Sequence, residues 1–210
     1  METTAEMRWF WNSPSTPELE RWFFGGAFPP GGGRTREDRY LIDLGQAELG
    51  IKSRGKTSGG EIKGLVHRIP EPVAIKNIPG HPQIWSKWTS KAIALDSMPT
   101  LLLKKKRLIR RFQIGDATVR EIALGENESP LASESESSKE GCTLELTEIS
   151  FQSSATPWWT LGFEASGTLP SIEKNLRRTV IHVAEDGIPL PADAIELSYP
   201  EWIDLIERSL

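Results

Sequence analysis

Leu49-Gly50-Ile51-Lys52-Ser53-Arg54-Gly55, followed after a short gap by Glu61-Ile62-Lys63-Gly64, is the stretch that organises the rest of the chain. Lys52 and Arg54 stand two residues apart, as do Glu61 and Lys63, so on extended strands each pair shares one face. Gly59-Gly60 lies in the connection. The spacing predicts a hairpin that presents Lys52, Arg54 and Lys63 together, with Glu61 beside them; an edge pair turning its charges to water would show the same pattern. Residues 50–57 also satisfy G-x-x-x-x-G-K-T, the phosphate-cradling loop, and Ala92-Ile93-Ala94-Leu95-Asp96 imitates its magnesium-binding strand. That loop needs a buried apolar strand before it and a helix starting at the lysine. Here Asp43-Leu44-Gly45-Gln46 precedes and Thr57-Ser58-Gly59-Gly60 follows, which stops a helix at once, so the match reads as accidental.

Outward from the hairpin, further strand-like runs cover residues 6–11, 39–43, 48–54, 61–66, 101–114, 118–124, 142–151 and 158–165. Many carry charge where a sandwich strand would point into its core. Glu6 and Arg8 share a face, Glu145 falls inside the 142–151 run, and Glu164 sits in Gly162-Phe163-Glu164-Ala165. Buried unpaired charges are expensive. A barrel with a polar lumen removes the conflict, because inward side chains then meet water, each other and a ligand. Helices are fewer. Thr16-Pro17-Glu18 starts one that reaches Phe24, with a capping hydroxyl, proline at the first helical position and acid in the first turn. Ser171 caps a second through His182, whose β-branched end suits a strand equally well. Pro200 opens a last amphipathic helix with Trp202, Ile203 and Ile206 on one side. The expected fold class is α+β, a mostly antiparallel β-barrel with a few flanking helices, in a single domain over residues 1–210. Two segments read as flexible loops: residues 25–36, rich in glycine and proline, and residues 126–141, rich in serine and glutamate with little to bury.

Composition narrows the function. At 210 residues and 38% hydrophobic the chain can bury a core without staples. A single cysteine, Cys142, excludes an intramolecular disulfide framework, and with only three histidines it argues against a zinc-finger site. Cys142 opens a strand and is expected to be buried and inert, while His67, His81 and His182 show no ligand spacing. No apolar run is long enough for a membrane helix, and residues 1–10 lack the pattern of a signal peptide; a cytoplasmic protein with no membrane partner is expected. The net charge of −4 hides an asymmetry: residues 1–33 balance to −2, residues 34–120 to +10 and residues 121–210 to −12. Basic strands from the middle and acidic strands from the end can line one cavity. That arrangement suits a polyphosphate, whose oxygens the cations grip while carboxylates hold magnesium. The densest basic run, Lys104-Lys105-Lys106-Arg107-Leu108-Ile109-Arg110-Arg111, splits by strand parity into Lys105, Arg107 and Arg111 on one face and Lys104, Lys106 and Arg110 on the other. A basic patch with stacking tryptophans would suit nucleic acid. Overall acidity argues against it, as does the placing of Trp9, Trp11, Trp158 and Trp159 in apolar runs suited to a core.

In the order of these elements the chain resembles the CYTH-type triphosphate tunnel proteins, a group that includes tunnel-type adenylate cyclases, thiamine triphosphatases and inorganic triphosphatases. The resemblance is carried by Glu6-Met7-Arg8, by LGIKSRG (49–55) followed by EIKG (61–64), by KKKRLIRRF (104–112), by LELTE (144–148) and by GFEASG (162–167). It covers roughly residues 5–167 and rests on order more than identity. The chain departs from the family on its acidic side. Where the family opens Glu-x-Glu-x-Lys, this sequence has Glu6, Arg8 and Phe10. The late Glu-x-Asp becomes Glu145 and Thr147, and the final Glu-x-Glu becomes Glu164 and Ser166.

The resemblance implies a barrel that binds, and in its enzymatic version hydrolyses, a triphosphate-containing compound such as tripolyphosphate or a nucleoside or thiamine triphosphate. Glu6, Glu145 and Glu164 would be the catalytic carboxylates and the ligands of Mg2+ or Mn2+. Arg8, Lys52, Arg54, Lys63, Arg107 and Arg111 would bind the substrate. The thinned carboxylate set leaves room for one metal, less for a second that would activate water, so binding is better supported than hydrolysis. A non-catalytic binding or interaction module on the same scaffold is the alternative, and a basic nucleic-acid binder the third.

Overall fold

A computed structural model describes residues 1–55, 59–131, 140–152 and 154–209. In chain order these form β1 (Glu2–Trp11), α1 (Pro17–Phe24), β2 (Gly31–Leu41), β3 (Leu49–Arg54), β4 (Gly60–Arg68), β5 (Gln83–Ser90) and β6 (Thr100–Ile114). There follow β7 (Val119–Ile122), β8 (Gly141–Ser150), β9 (Trp158–Ser166), α2 (Leu169–Val183), β10 (Ile195–Glu196) and α3 (Tyr199–Glu207). Eight strands run β1-β5-β4-β3-β2-β6-β8-β9, and β9 pairs back onto β1, so the sheet closes into an antiparallel barrel. β7 extends it beside β6 and β10 beside β1. The expected α+β barrel is what the chain forms. Closure leaves no open edge among the eight strands, and a barrel of that size has an interior that side chains fill or that one small ligand occupies.

Strands β1, β8 and β9 are buried on both faces because two different layers cover them. Along β1, Ala5, Met7, Trp9 and Trp11 point outward into a core shared with Leu19 and Phe23 of α1 and with Ile172, Leu176 and Val180 of α2. Leu144 and Leu146 of β8 and Leu161, Phe163 and Ala165 of β9 join that core. The alternate residues of the same strands, among them Glu6, Arg8, Glu145 and Glu164, face the lumen. One end of the barrel is stoppered by α3. Phe10, Tyr40, Leu101, Leu103 and Ile149 pack against Trp202, Ile203 and Ile206, and the Trp202 ring stacks on Phe10 at 5.0 Å. Ser198 caps α3, taking the amide of Glu201 while the Glu201 carboxylate accepts from the Ser198 amide.

Several local expectations shift. Strand β2 begins at Gly31, inside the segment read as a loop over residues 25–36. Its glycines shape the strand: Gly32 and Gly33 adopt φ of +95° and +89°, and the pairing with β6 slips between Gly32 and Thr35. Such a bulge is a common use of glycine in a bent barrel strand. Half of the segment 126–141, also read as flexible, falls on residues 132–139, outside the described ones. Strand β5 is unexpected, because Gln83-Ile84-Trp85-Ser86-Lys87-Trp88 mixes polar and aromatic residues without an apolar face. The region 171–182 is helix, and α2 starts from Thr168, three residues before Ser171. Residues 50–54 of the phosphate-loop pattern lie in β3, and β4 starts at Gly60, which leaves no room for the helix such a loop requires. The lysine and threonine of that pattern lie outside the described residues. Among the described residues no helix is long and apolar enough to cross a membrane.

Trp202 is fully buried and joins α3 to the barrel end. Replacing it with alanine is expected to cost about 3–5 kcal/mol, read as a lowered urea midpoint with an unchanged slope; a change below about 1 kcal/mol would show that α3 is not integral to the fold.

Candidate anion-binding site

The lumen holds a cavity of about 280 Å³, floored by Tyr199 and Pro200 of α3. Eight basic residues line it, Arg8, Arg36, Lys52, Arg54, Lys63, Lys87, Lys105 and Arg107, against five acidic ones, Glu2, Glu6, Glu61, Glu145 and Glu164. The lining therefore carries a formal net charge of +3 at neutral pH. The strand period explains the convergence: Lys52 and Arg54 are i and i+2 on β3, Glu61 and Lys63 on β4, Lys105 and Arg107 on β6. Cross-strand register then sets Lys52 beside Glu61 and Glu6 beside Glu164. Gly162 stands opposite Arg8, and a Cβ there would come within 2.5 Å of the guanidinium carbon, so a larger residue would displace the Arg8 side chain.

Four of the five lining carboxylates, Glu6, Glu61, Glu145 and Glu164, are held by cations. Glu6 forms an ion pair with Lys63, meets Lys87 at 3.3 Å and accepts from Thr4 Oγ1 at 2.7 Å. Lys87 also pairs with Glu164. Glu145 bridges Arg8 at 3.0 Å and Arg107 at 3.1 Å, and Arg107 extends to Glu128. Glu61 pairs with Lys52 at 2.9 Å. Asp38, fully buried behind the lining, meets Arg36 at 3.3 Å, Lys105 at 3.4 Å and Arg54 at 3.8 Å. Burial by itself would raise the Glu6 and Glu145 carboxyls. The charges of Lys63 and Lys87 on Glu6, and of Arg8 and Arg107 on Glu145, outweigh it and hold both groups far below the usual carboxylate range. Lys105 shows the opposite balance: burial lowers it well below an ordinary lysine despite Asp38. Its ammonium donates to Tyr40 Oη at 2.7 Å and lies 3.8 Å from the centre of the Tyr199 ring.

Of the residues expected at the site, Glu6, Glu145, Glu164, Arg8, Lys52, Arg54, Lys63 and Arg107 all line the cavity, and Arg111 does not. Arg111 pairs across to Ile122 and Thr143, two residues further along β6 than the buried, apolar Ile109. The structure adds Arg36, Lys87, Lys105 and Tyr199, with Asp38 behind them. Lys105 shares the parity of Arg107 and is readable from it. Lys87 is hidden with β5, and Arg36 within the segment read as a loop. On the other parity of β6, Arg110 binds Glu121 through two bonds of 2.8 Å. Lys104 and Lys106 are exposed; Lys104 stands opposite Glu37 and Lys106 opposite Glu148, so the outer face carries mixed charge. Cys142 is buried, and burial raises its thiol to about 12, which leaves it an unreactive neutral group.

The carboxylates that the resemblance assigns to a metal do not fit that role as they stand. Both oxygens of Glu6 and of Glu145 and one oxygen of Glu164 are engaged by lysine or arginine, and among the described residues no group of three or more His, Cys, Asp or Glu is placed to hold an ion. The lining instead suits an anion, offering many charge-assisted donors in a confined, partly dehydrated space. No protein-family model matches the chain, and no curated protein matches its sequence.

Because Glu6 and Glu145 are depressed in the folded protein, their stabilising contribution is complete above the unfolded carboxyl value, about 4.3, and is lost as the pH falls toward the native values. The thermal midpoint is therefore expected to drop steeply below about pH 4.3. A midpoint unchanged from neutral pH down to about pH 3 would contradict the ion-pair assignment.

Proposed function

We infer that the lumen binds a triphosphate-bearing compound through its polyphosphate moiety. The observation that carries this reading is the convergence of eight basic side chains on one cavity of about 280 Å³ with a closed floor. That volume lies at the small end of the range for small-molecule sites, about 300–1,000 Å³. It suits a short chain of phosphates, with any organic remainder left toward the open end. Lys63, Lys87, Arg8 and Arg107 are held by carboxylates in the free protein, so they stand preorganised when the anion enters, and preorganised charge is what phosphate recognition needs.

Binding, not turnover, is the activity proposed. Arg8, Thr147 and Ser166 stand where the family pattern has carboxylates, and the remaining acids are tied to cations, so no side chain is assigned to activate water. Mg2+ or Mn2+ enters this reading only as a companion ion of the polyphosphate. A nucleic-acid reading gains no support from the outer face of β6, where exposed lysines stand opposite acids.

Calorimetric titration with tripolyphosphate, with and without magnesium, tests the reading. A saturable curve that weakens as salt is raised is expected. Lys52→Ala should lower affinity about ten-fold or more, the worth of one hydrogen bond to a charged group, while Arg111→Ala leaves it unchanged. Absence of binding would overturn the reading. Continuing heat after saturation, with release of phosphate, would contradict the restriction to binding.

A further inference from the structure

Arg107, on the β6 wall of the lumen, is held by two acids at once. Its Nη1 donates to Glu145 at 3.1 Å, while its Nη2 is in close contact with Glu128 and its Nε lies 3.4 Å from the same carboxylate. The two acids differ in kind. Glu145 belongs to β8, is buried, and is bound by Arg8 as well. Glu128 comes from the connection after β7, and Arg107 is its one ion-pair partner among the described residues. The Glu128 side chain is 28% exposed, against 12% for Glu145. Arg107 lines the cavity and Glu128 does not, so this acid acts on the lumen only through the arginine. The connection is shaped to deliver it. A tight turn is closed by the Gly125 amide on the Ser129 carbonyl at 2.9 Å and the Glu128 amide on the Gly125 carbonyl at 3.0 Å, and Leu124 bridges to Pro130 at its base. Glu128 adopts φ +64°, a left-handed conformation uncommon for a residue with a side chain. Gly32 leaves the passage open, since a Cβ there would come within 3.1 Å of Glu128 Oε1 and 2.6 Å of the Arg107 carbonyl oxygen.

We propose that Glu128 makes an autoinhibitory contact with the lumen: its carboxylate stands in for a phosphoryl oxygen on Arg107 in the empty barrel and gives way when a polyphosphate binds. This rests on the proposed binding of a triphosphate in the lumen. A guanidinium presents its donors in a fixed planar fork, and the Nε–Nη2 edge is one that grips a carboxylate or a phosphate side-on. Glu128 holds that edge, so an anion seeking a paired grip on Arg107 competes with it directly. Glu145 is not the acid that yields, because its departure would leave Arg8 buried without its charge partner. Glu128 leaves at little cost, since a partly exposed ion pair contributes little and the freed carboxylate regains water. The exchange is also matched in kind, one anionic oxygen leaving Arg107 as another arrives. The net gain in affinity then comes from the remaining phosphates on the other lumenal cations. A singly charged anion gains nothing at Arg107 by the same exchange.

The experiment compares wild type, Glu128→Gln and Glu126→Gln by calorimetry with tripolyphosphate and by thermal melting without ligand. Glu126 is the control: it lies on the same connection and its loss changes the net charge equally, but it pairs with the exposed Arg34 at 3.1 Å and not with the lumen. Glu128→Gln is expected to bind about two- to five-fold more tightly, the worth of a partly exposed ion pair, and to melt close to wild type. Glu126→Gln should bind as wild type does. In an Arg107→Ala background the gain from Glu128→Gln should vanish, which isolates the contact from the general field. Unchanged or weaker binding by Glu128→Gln, with wild type still binding, would overturn this proposal while leaving lumenal binding intact. An equal gain in Glu126→Gln, or a gain that persists without Arg107, would overturn it too, by showing that only net charge matters. If neither wild type nor Glu128→Gln binds tripolyphosphate, both the lumenal reading and this proposal fall.

Discussion

The structure depends on pairing charges inside a closed barrel. A strand buried on both faces can carry glutamate and arginine on one of them only if each charge meets its opposite across the lumen. Glu6 on β1 meets Lys63 on β4 and Lys87 on β5, and Glu145 on β8 meets Arg8 on β1 and Arg107 on β6. These pairs tie together strands that are far apart in sequence. Removing one partner would leave a charge buried and uncompensated, a loss of about 3–5 kcal/mol. The same constraint explains why the outer faces of β1, β8 and β9 are so apolar. With the lumen given over to charge, the hydrophobic core lies outside the barrel, where α1 and α2 cover β1, β8 and β9, and at the end closed by α3.

This arrangement also sets the chemistry. A set of cations already neutralised by carboxylates does not leave a naked positive cavity that would destabilise the fold. It leaves a surplus, eight basic against five acidic lining residues, which is the charge that the proposed polyphosphate would meet. The cost falls on catalysis. A carboxylate engaged by two cations is a poor base and a poor metal ligand, since its lone pairs are in use and its basicity is depressed.

Much of this is legible in the sequence, for one physical reason: the two-residue period of a strand. Lys52 with Arg54, Glu61 with Lys63, and Lys105 with Arg107 announce a shared face by spacing alone, and charges on otherwise apolar strands point to a wet lumen. What is not legible depends on closure and context. Lys87 has no signal of its own because β5 has no apolar face to declare it a strand; that strand is held by neighbours on both sides, β1 and β4. Arg36 is hidden because glycines that usually end a strand instead bend β2. Arg111 is drawn in because parity runs on along β6, whereas the cavity ends before it. Tyr199 leaves no trace at all, since nothing in Ser198-Tyr199-Pro200 says that this helix start will be pressed against the barrel floor.

The most direct test is a crystal structure of the protein with tripolyphosphate bound. Three phosphorus positions are expected inside the barrel, among Arg8, Lys63, Lys87, Lys105 and Arg107. Phosphate found only on the outer face near Lys104 and Lys106, with the lumenal ion pairs undisturbed, would contradict the lumen as the site.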